Sequence, residues 1–145
     1  MSAFILAFSV MTSLTVVSTG FRTVDTARNT TIASQLLQSV MEDLRMLPYS
    51  ATGNANSISS LEASSTNGVS GNVTLDSSFT NGDAAATAMV AHFTITRNIT
   101  DVTALSTTMK QIALTATWKG IDGRSHSLTY SSYYCKDGLH DYYVR

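Results

Sequence analysis

The first 20 residues of the chain contain no charged side chain, and this feature constrains the fold more than any other. About 20 helical residues span roughly 30 Å, which is the thickness of the hydrocarbon core of a bilayer. Apolar side chains occur on every side of a helix drawn through this segment, whereas a surface helix has a single apolar stripe. The rest of the chain forms a domain too small to bury such a rod. The segment is therefore expected to lie in a membrane or among copies of itself.

The large apolar residues of this segment are predicted to form its contact surface. They are Phe4, Ile5, Leu6, Phe8, Val10, Met11, Leu14, Val16 and Val17. Small residues between them would allow other helices to approach closely. These are Ser2, Ala3, Ala7, Ser9, Ser13 and Ser18.

Composition excludes several protein classes. The formal net charge is −1, so the chain has neither the basic field of a nucleic-acid-binding protein nor an acidic tail. Cys135 is its one cysteine, which rules out an intrachain disulfide. An ordinary secretory signal starts with basic residues, but the first basic residue here is Arg22. The chain is therefore expected either to carry an unusual signal-anchor or to continue upstream of Met1.

A second helical segment follows without a break. Residues 21–47 contain neither proline nor glycine, and apolar residues recur at steps of three and four. Pro48 would end the helix, because a proline restricts the residue before it. We predict one helix from about Ser2 to Leu47, roughly 70 Å long, with Gly20 as its weakest point.

The remainder of the chain divides into a loop region and a sheet region. Residues 49–88 are rich in Ser, Thr, Asn and Gly, which predicts a long loop with one short strand at Asn72–Leu75. Residues 89–145 show apolar residues at every second position. That pattern predicts three strands, starting near Met89, with a hairpin at Gly120–Gly123 and a tail that packs along the sheet edge.

These segments predict an α+β fold. The apolar face of an antiparallel sheet needs a cover, and the stripe on the second half of the helix is the one amphipathic element that can supply it. We expect residues 1–20 to form an apolar half-helix and residues 21–145 to form one globular head, with 21–48 as the amphipathic half-helix. The predicted head core consists of Ile32, Leu36, Leu37, Val40, Leu44, Phe93, Ile95, Ile112, Leu114, Trp118, Leu128 and Tyr130.

The layout resembles the type IV pilin and pseudopilin family. The resemblance covers nearly the whole chain and rests on the two-part helix, on the segment from Ala27 to Arg45, and on the terminal strand pair with Trp118 and Tyr130. It departs from the family at the start, because the leader ending in glycine and the early glutamate are absent and no acidic residue precedes Asp25. Either residues are missing ahead of Met1, or Met1 is the mature first residue and Ile5 stands where the acid usually is.

The resemblance implies a structural subunit rather than an enzyme. Its partners would be copies of itself or other pilins in a helical filament, and it would wait in the bacterial inner membrane before assembly. Its destination would be an extracellular filament or a periplasmic pseudopilus. No nucleic acid, small-molecule substrate or cofactor is implied. The alternative is a monomeric signal-anchored envelope protein that presents a small binding or adhesion domain.

The sequence contains no recognisable catalytic or metal-binding motif. The three histidines lack ligand spacing, and we expect His92 and His126 to lie on strands opposite the apolar face. Asp137, His140 and Asp141 offer too few oxygen ligands to predict a calcium site. Cys135 is expected to be a half-buried thiol without an activating base. We expect four late tyrosines to serve the core or subunit contacts. These are Tyr133, Tyr134, Tyr142 and Tyr143.

Three Asn-x-Ser/Thr sequons occur in the chain, beginning at Asn29, Asn72 and Asn98. Asn72 and Asn98 are candidate glycosylation sites. Such sequons also arise by chance in a threonine-rich chain, and the loop from Ser50 to Thr87 is an equally good place for O-linked sugar.

Overall fold

The structure, a computed structural model, describes residues 2–49, 57–63, 71–73, 80–102 and 108–138. Helix α1 (Ser2–Arg45) is followed by α2 (Ile58–Ala63), β1 (Gly71–Asn72), α3 (Ala84–Val90), β2 (Thr94–Asp101), β3 (Met109–Lys119) and β4 (Ser125–Cys135). The strands form one sheet in the order β1-β2-β3-β4, and each neighbouring pair is antiparallel. The predicted α+β fold, a long N-terminal helix packed on a small antiparallel sheet, is confirmed.

Helix α1 is continuous across Gly20 and ends at Arg45, two residues before the predicted end. Met46 still donates its N–H to the carbonyl of Glu42 at 3.2 Å, and Leu47 donates to Leu44 at 3.3 Å, so the last turn tightens before the chain leaves the helix. Pro48 explains the stop, because its ring excludes helical geometry at Leu47.

The predicted hairpin joins β3 to β4. The two strands pair from Lys119 opposite Ser125 to Met109 opposite Cys135. Gly120 donates its N–H to the carbonyl of Arg124 at 2.9 Å, and Gly123 has a φ of 75°, which glycine adopts without steric cost. The turn is tight, since a Cβ added at Gly120 would lie 2.7 Å from a carboxylate oxygen of Asp122.

The predicted start of the first sheet strand was wrong. Met89 belongs to α3, and β2 begins at Thr94 and continues to Asp101. Asp83 caps α3 by accepting the N–H of Ala85 at 3.1 Å, and the alanines that follow favour a helix. The apolar alternation that begins at Met89 therefore does not mark a strand there, because Met89 lies in the last turn of α3.

The long loop predicted for residues 49–88 also contains more structure than expected. Helix α2 falls within it, and α3 begins in it and ends at Val90. The short strand predicted at Asn72–Leu75 corresponds to β1, which pairs with β2 at Thr96 and Arg97. Val73 extends this pairing by donating its N–H to Ile95 at 2.9 Å, whereas Leu75 lies outside the described residues.

The core lies between the second half of α1 and one face of β2, β3 and β4. Nine of the predicted core residues are buried, and three (Ile32, Leu128 and Tyr130) are partly buried and pack against them. The buried nine are Leu36, Leu37, Val40, Leu44, Phe93, Ile95, Ile112, Leu114 and Trp118. Seven further apolar residues complete the cluster: Ala33, Met41, Tyr49, Ile58, Ile99, Ala116 and Tyr134.

Candidate assembly and membrane surface

The first half of α1 projects from the head. The hairpin turn meets the helix at Asp25, whose carboxylate accepts the N–H of Ile121 at 3.3 Å. From Phe4 to Val24 every side chain is exposed. At 1.5 Å per residue this free segment is roughly 30 Å long. The head therefore packs on the second half of α1. The segment from Phe4 to Val24, called the rod below, is as long as a bilayer core is thick and stays uncovered.

The exposed surface of this rod is strongly apolar. Phe4 is 82% exposed, Met11 73% and Val16 72%. All nine residues predicted to form the contact surface are exposed, and Phe21 and Val24 extend it toward the head. Soluble monomers rarely leave a contiguous apolar surface of this size in water, and such surfaces mark contacts with a membrane or another protein.

The threonine hydroxyls of the rod are bonded within the helix itself. Thr12 donates to the carbonyl of Phe8 at 3.1 Å, Thr15 to Met11 at 2.7 Å and Thr19 to Thr15 at 2.9 Å. A polar group without a partner is costly in hydrocarbon, but these hydroxyls already have one. These threonines therefore do not prevent the rod from entering an apolar phase.

Helix α1 has the length and composition of a membrane-spanning helix. None of its most apolar 18-residue stretch is buried inside the molecule. A core helix of a soluble protein can be equally long and apolar, but its apolar stretch is mostly buried. By its length, composition and exposure this segment could span a membrane, although an N-terminal signal sequence passes the same test.

The histidines do not lie where the sequence placed them. His92 is in the turn after α3 rather than on a strand, and its Nε2 lies 2.7 Å from the carbonyl oxygen of Lys119. His126 is on β4 but on the core face, because it is the cross-strand partner of buried Trp118, with the two rings stacked at 5.7 Å. The period-two pattern assigned His126 to the wrong face, because a histidine does not count as apolar even where it is half-buried at the end of the apolar row of β4.

A small charged cluster surrounds the hairpin turn. Asp122 accepts the backbone N–H of Arg124 at 3.0 Å, and this bond is the main reason that the pKa of Asp122 lies below its ordinary value. The nearby His126 and the Arg124 side chain act in the same direction, at 3.7 Å and 3.9 Å. The cluster fixes the turn that contacts α1, which is a structural role.

Arg97 is the second group with a shifted pKa. It lies on the core face of β2 between Ile95 and Ile99, opposite Leu114 on β3. Partial burial lowers its pKa, since a low-dielectric environment disfavours the charged form. This cation interrupts the apolar row of β2, so the sequence pattern does not show that the strand continues to Asp101.

The residues weighed as metal ligands do not form a described site. Across the described ranges, no group of three or more His, Cys, Asp or Glu side chains could hold a metal ion. Asp137 lies in the turn after β4 with a φ of 58°, and His140 and Asp141 lie outside the described residues. Cys135 is exposed at the end of β4, not half-buried as predicted.

The late tyrosines separate by strand face. Tyr134 is buried and donates its hydroxyl to the carbonyl of Leu47 at 2.6 Å, so it joins the core to the end of α1. Tyr133 points to the other face and is 62% exposed. Tyr142 and Tyr143 lie outside the described residues. Alternation along β4 therefore places Tyr134 in the core, and a subunit contact by Tyr133 stays a prediction.

Both candidate glycosylation sites lie in strands. Asn98 is in the middle of β2, half-buried and opposite Ala113, and its side-chain oxygen is buried without a hydrogen-bond partner. Asn72 is the second residue of β1. Glycosylation at either residue stays a prediction.

No protein-family model, curated protein or solved structure matches this chain.

Proposed function

We propose that the chain is a structural subunit of a filament of the type IV pilus or secretion pseudopilus kind, assembled through the first half of α1. The observation that carries this proposal is the uncovered apolar rod from Phe4 to Val24, held out from a folded head. The resemblance in sequence layout supports the same assignment.

The physical chemistry favours a bundle of such rods over permanent residence in lipid. Lipid tails are as apolar as leucine, so helix association in a membrane is driven by close packing rather than by the hydrophobic effect. Ala7, Ser9, Ser13 and Ser18 are small residues on the exposed rod. Because these side chains are small, the backbones of neighbouring helices can approach closely at these positions. Lipid tails fill the shallow grooves beside small residues less well. The subunit would wait in the inner membrane and then move into a filament with its head outward.

The decisive experiment is electron microscopy of the full chain after removal of detergent. We expect fibres from the unmodified protein. Leu14→Lys places a charge at the middle of the rod, where a lysine costs about 3 kcal/mol in a membrane helix, and it should abolish both membrane insertion and fibres.

Thr117→Lys is the matched control, because it adds the same charge to an exposed position on β3. This variant should keep both properties. The proposal fails if Leu14→Lys still forms fibres. It also fails if the unmodified chain stays monomeric in detergent and after reconstitution, which would favour the signal-anchored binding protein.

A further inference from the structure

The β3–β4 hairpin lies along α1 with its turn toward the rod. Ile121 in the turn donates its N–H to the carboxylate of Asp25 at 3.3 Å. Further from the rod, the hydroxyl of Tyr130 on β4 lies 2.6 Å from that of Ser34. The two contacts advance together along the helix and along the hairpin. The turn is therefore presented at the point where the rod leaves the head.

The turn also lies at the level where a bilayer would end. The rod from Phe4 to Val24 is roughly 30 Å long, which is the thickness of a hydrocarbon core. Asp25 is the next residue of the helix, so the carboxylate that holds the turn stands directly at the end of the rod. When the rod spans a bilayer, the turn reaches the headgroup region on the side of the head.

Ile121 gives this turn an apolar tip. Turns between paired strands usually carry Gly, Asn or Asp, and Gly120, Asp122 and Gly123 follow that preference. The side chain of Ile121 is 66% exposed and takes no part in the core of the head. Its apolar surface is therefore free for a contact outside the molecule, although a single exposed isoleucine is by itself ordinary.

The helix brings further apolar side chains to the level of this tip. Phe21 precedes Asp25 by four residues, so the two side chains lie on the same side of α1, one turn apart. Phe21 is exposed, and so is Val24, the neighbour of Asp25. The exposed apolar surface of the rod therefore extends along the helix up to the contact with Ile121.

Cations surround the apolar tip. Within three residues of Asp25 or Ile121 the chain carries four cations, which are all exposed, and two acids. The cations are Arg22, Arg28, Lys119 and Arg124, and the acids are Asp25 and Asp122. Both carboxylates already accept backbone N–H groups of the hairpin turn. The Arg124 side chain is 84% exposed and lies 3.9 Å from Asp122, and an exposed pair of this kind is weak. The surface around the tip is therefore suited to phosphate groups.

We propose that the hairpin turn is a second membrane contact, with Ile121 at the boundary of the hydrocarbon and the surrounding cations on the phosphates of anionic lipids. Surfaces with an apolar centre and a rim of Lys and Arg bind bilayer interfaces. The proposal rests on the membrane stage of the proposed function. A neighbouring subunit would also cover an apolar tip, but its rod carries no acidic residue to complement the cations.

Spin labelling measures whether the turn touches lipid. In a Cys135→Ser background, Ile121→Cys carries a nitroxide on the full chain in nanodiscs of phosphatidylcholine and phosphatidylglycerol, whose two faces are open to water. Oxygen concentrates in lipid, whereas a charged nickel complex stays in water. We expect the ratio of oxygen to nickel collisions at residue 121 to exceed that at a label on the natural Cys135 by about threefold. Cys135 is the matched control, because it is exposed at the other end of β4.

The charge of the lipid provides a second readout. Lys119→Gln should lower the ratio at residue 121 by about twofold, because each lysine near an anionic surface adds attraction. Lys136→Gln removes the same charge from an exposed position after β4 and should leave the ratio unchanged. Nanodiscs of phosphatidylcholine alone should lower the ratio in the unmodified background. An unchanged ratio in both arms would overturn the assignment of the cations to lipid phosphates.

A label in the rod separates this inference from the proposed function. Leu14→Cys should place its nitroxide in contact with oxygen and out of reach of nickel. A Leu14 label that nickel reaches would refute the membrane stage of the proposed function, and this inference with it. A Leu14 label in lipid beside a residue 121 label that matches Cys135 would overturn this inference alone. Protection of residue 121 in fibres but not in nanodiscs would assign the tip to a neighbouring subunit and overturn it as well.

Discussion

The hydroxyl groups of Ser34 on α1 and Tyr130 on β4 lie 2.6 Å apart and share a hydrogen bond, although 96 residues separate them in the chain. Both residues are partly buried at the helix–sheet boundary. The bond therefore fixes the position of the helix along the sheet, and with it the direction in which the apolar rod leaves the head.

A double-mutant cycle tests this contact. Ser34→Ala and Tyr130→Phe should each destabilise the head by about 1 kcal/mol, the usual net contribution of a hydrogen bond. The double variant should lose less than the sum, with a coupling of about 0.5–1.5 kcal/mol, because each single change already breaks the same bond. Additive losses in chemical unfolding of the full chain in detergent would show that the two hydroxyls do not interact.

Leu37 tests the packing of helix on sheet. Its side chain is fully buried in the core. Leu37→Asp should unfold the head, because an unpaired carboxylate would enter an apolar interior. Gln35→Asp is the control, since Gln35 is exposed on the same helix and should lose no more than about 1 kcal/mol. A Leu37→Asp head with unchanged thermal stability would refute the core described above.

Asp122 predicts a dependence of stability on pH. Its pKa is lower in the folded state than its ordinary value, so the folded state favours the ionised carboxylate. The resulting stability is present above the unfolded pKa of 3.8 and is lost as the pH falls through the folded value. The unmodified chain should exceed Asp122→Asn in stability near neutral pH, and the difference should shrink in acid. Thermal unfolding from pH 7 down to about pH 2 measures it, and a constant or growing difference would contradict the assignment.

Ser9 tests the packing of neighbouring rods. It is an exposed small residue on the free half of α1. Ser9→Leu should leave the unfolding temperature of the head unchanged but reduce the yield of fibres, because a larger side chain holds adjacent helices apart. Ser127→Leu makes the same change on the exposed face of β4 and should assemble normally. Equal fibre yields for both variants would remove Ser9 from the assembly surface.

The sequence was most informative where one physical signal acted alone. The uncharged start, the stripe from Ile32 to Leu47 and the stop at Pro48 predicted α1 almost to its last residue. The alternation in Ile112, Leu114 and Trp118 predicted the central strand and its buried face. Hydrophobic periodicity decides such elements, because burial of one face dominates every local preference.

The sequence was misleading where two signals competed. Alternation beginning at Met89 suggested a strand, but the Asp83 cap and the alanines after it form a helix instead. Arg97 on the core face hid the continuation of β2 to Asp101, and His126, whose ring stacks on Trp118, was assigned to the wrong face. A local cap decided the first case, whereas cross-strand pairing with β3 decided the positions of Arg97 and His126.

By itself, the sequence determined that an apolar half-helix runs into an amphipathic one and that a one-sided sheet must cover the second half. Those features follow from local hydrophobic periodicity and from the positions of charged residues, and both can be taken from the sequence without knowledge of which residues meet in the fold. Only the tertiary structure decided that the head contacts α1 from Asp25 onward and that the end of the β3–β4 hairpin makes this contact. Such features depend on which distant residues meet, since contacts like Asp25 with Ile121 and Ser34 with Tyr130 form only when the whole core packs.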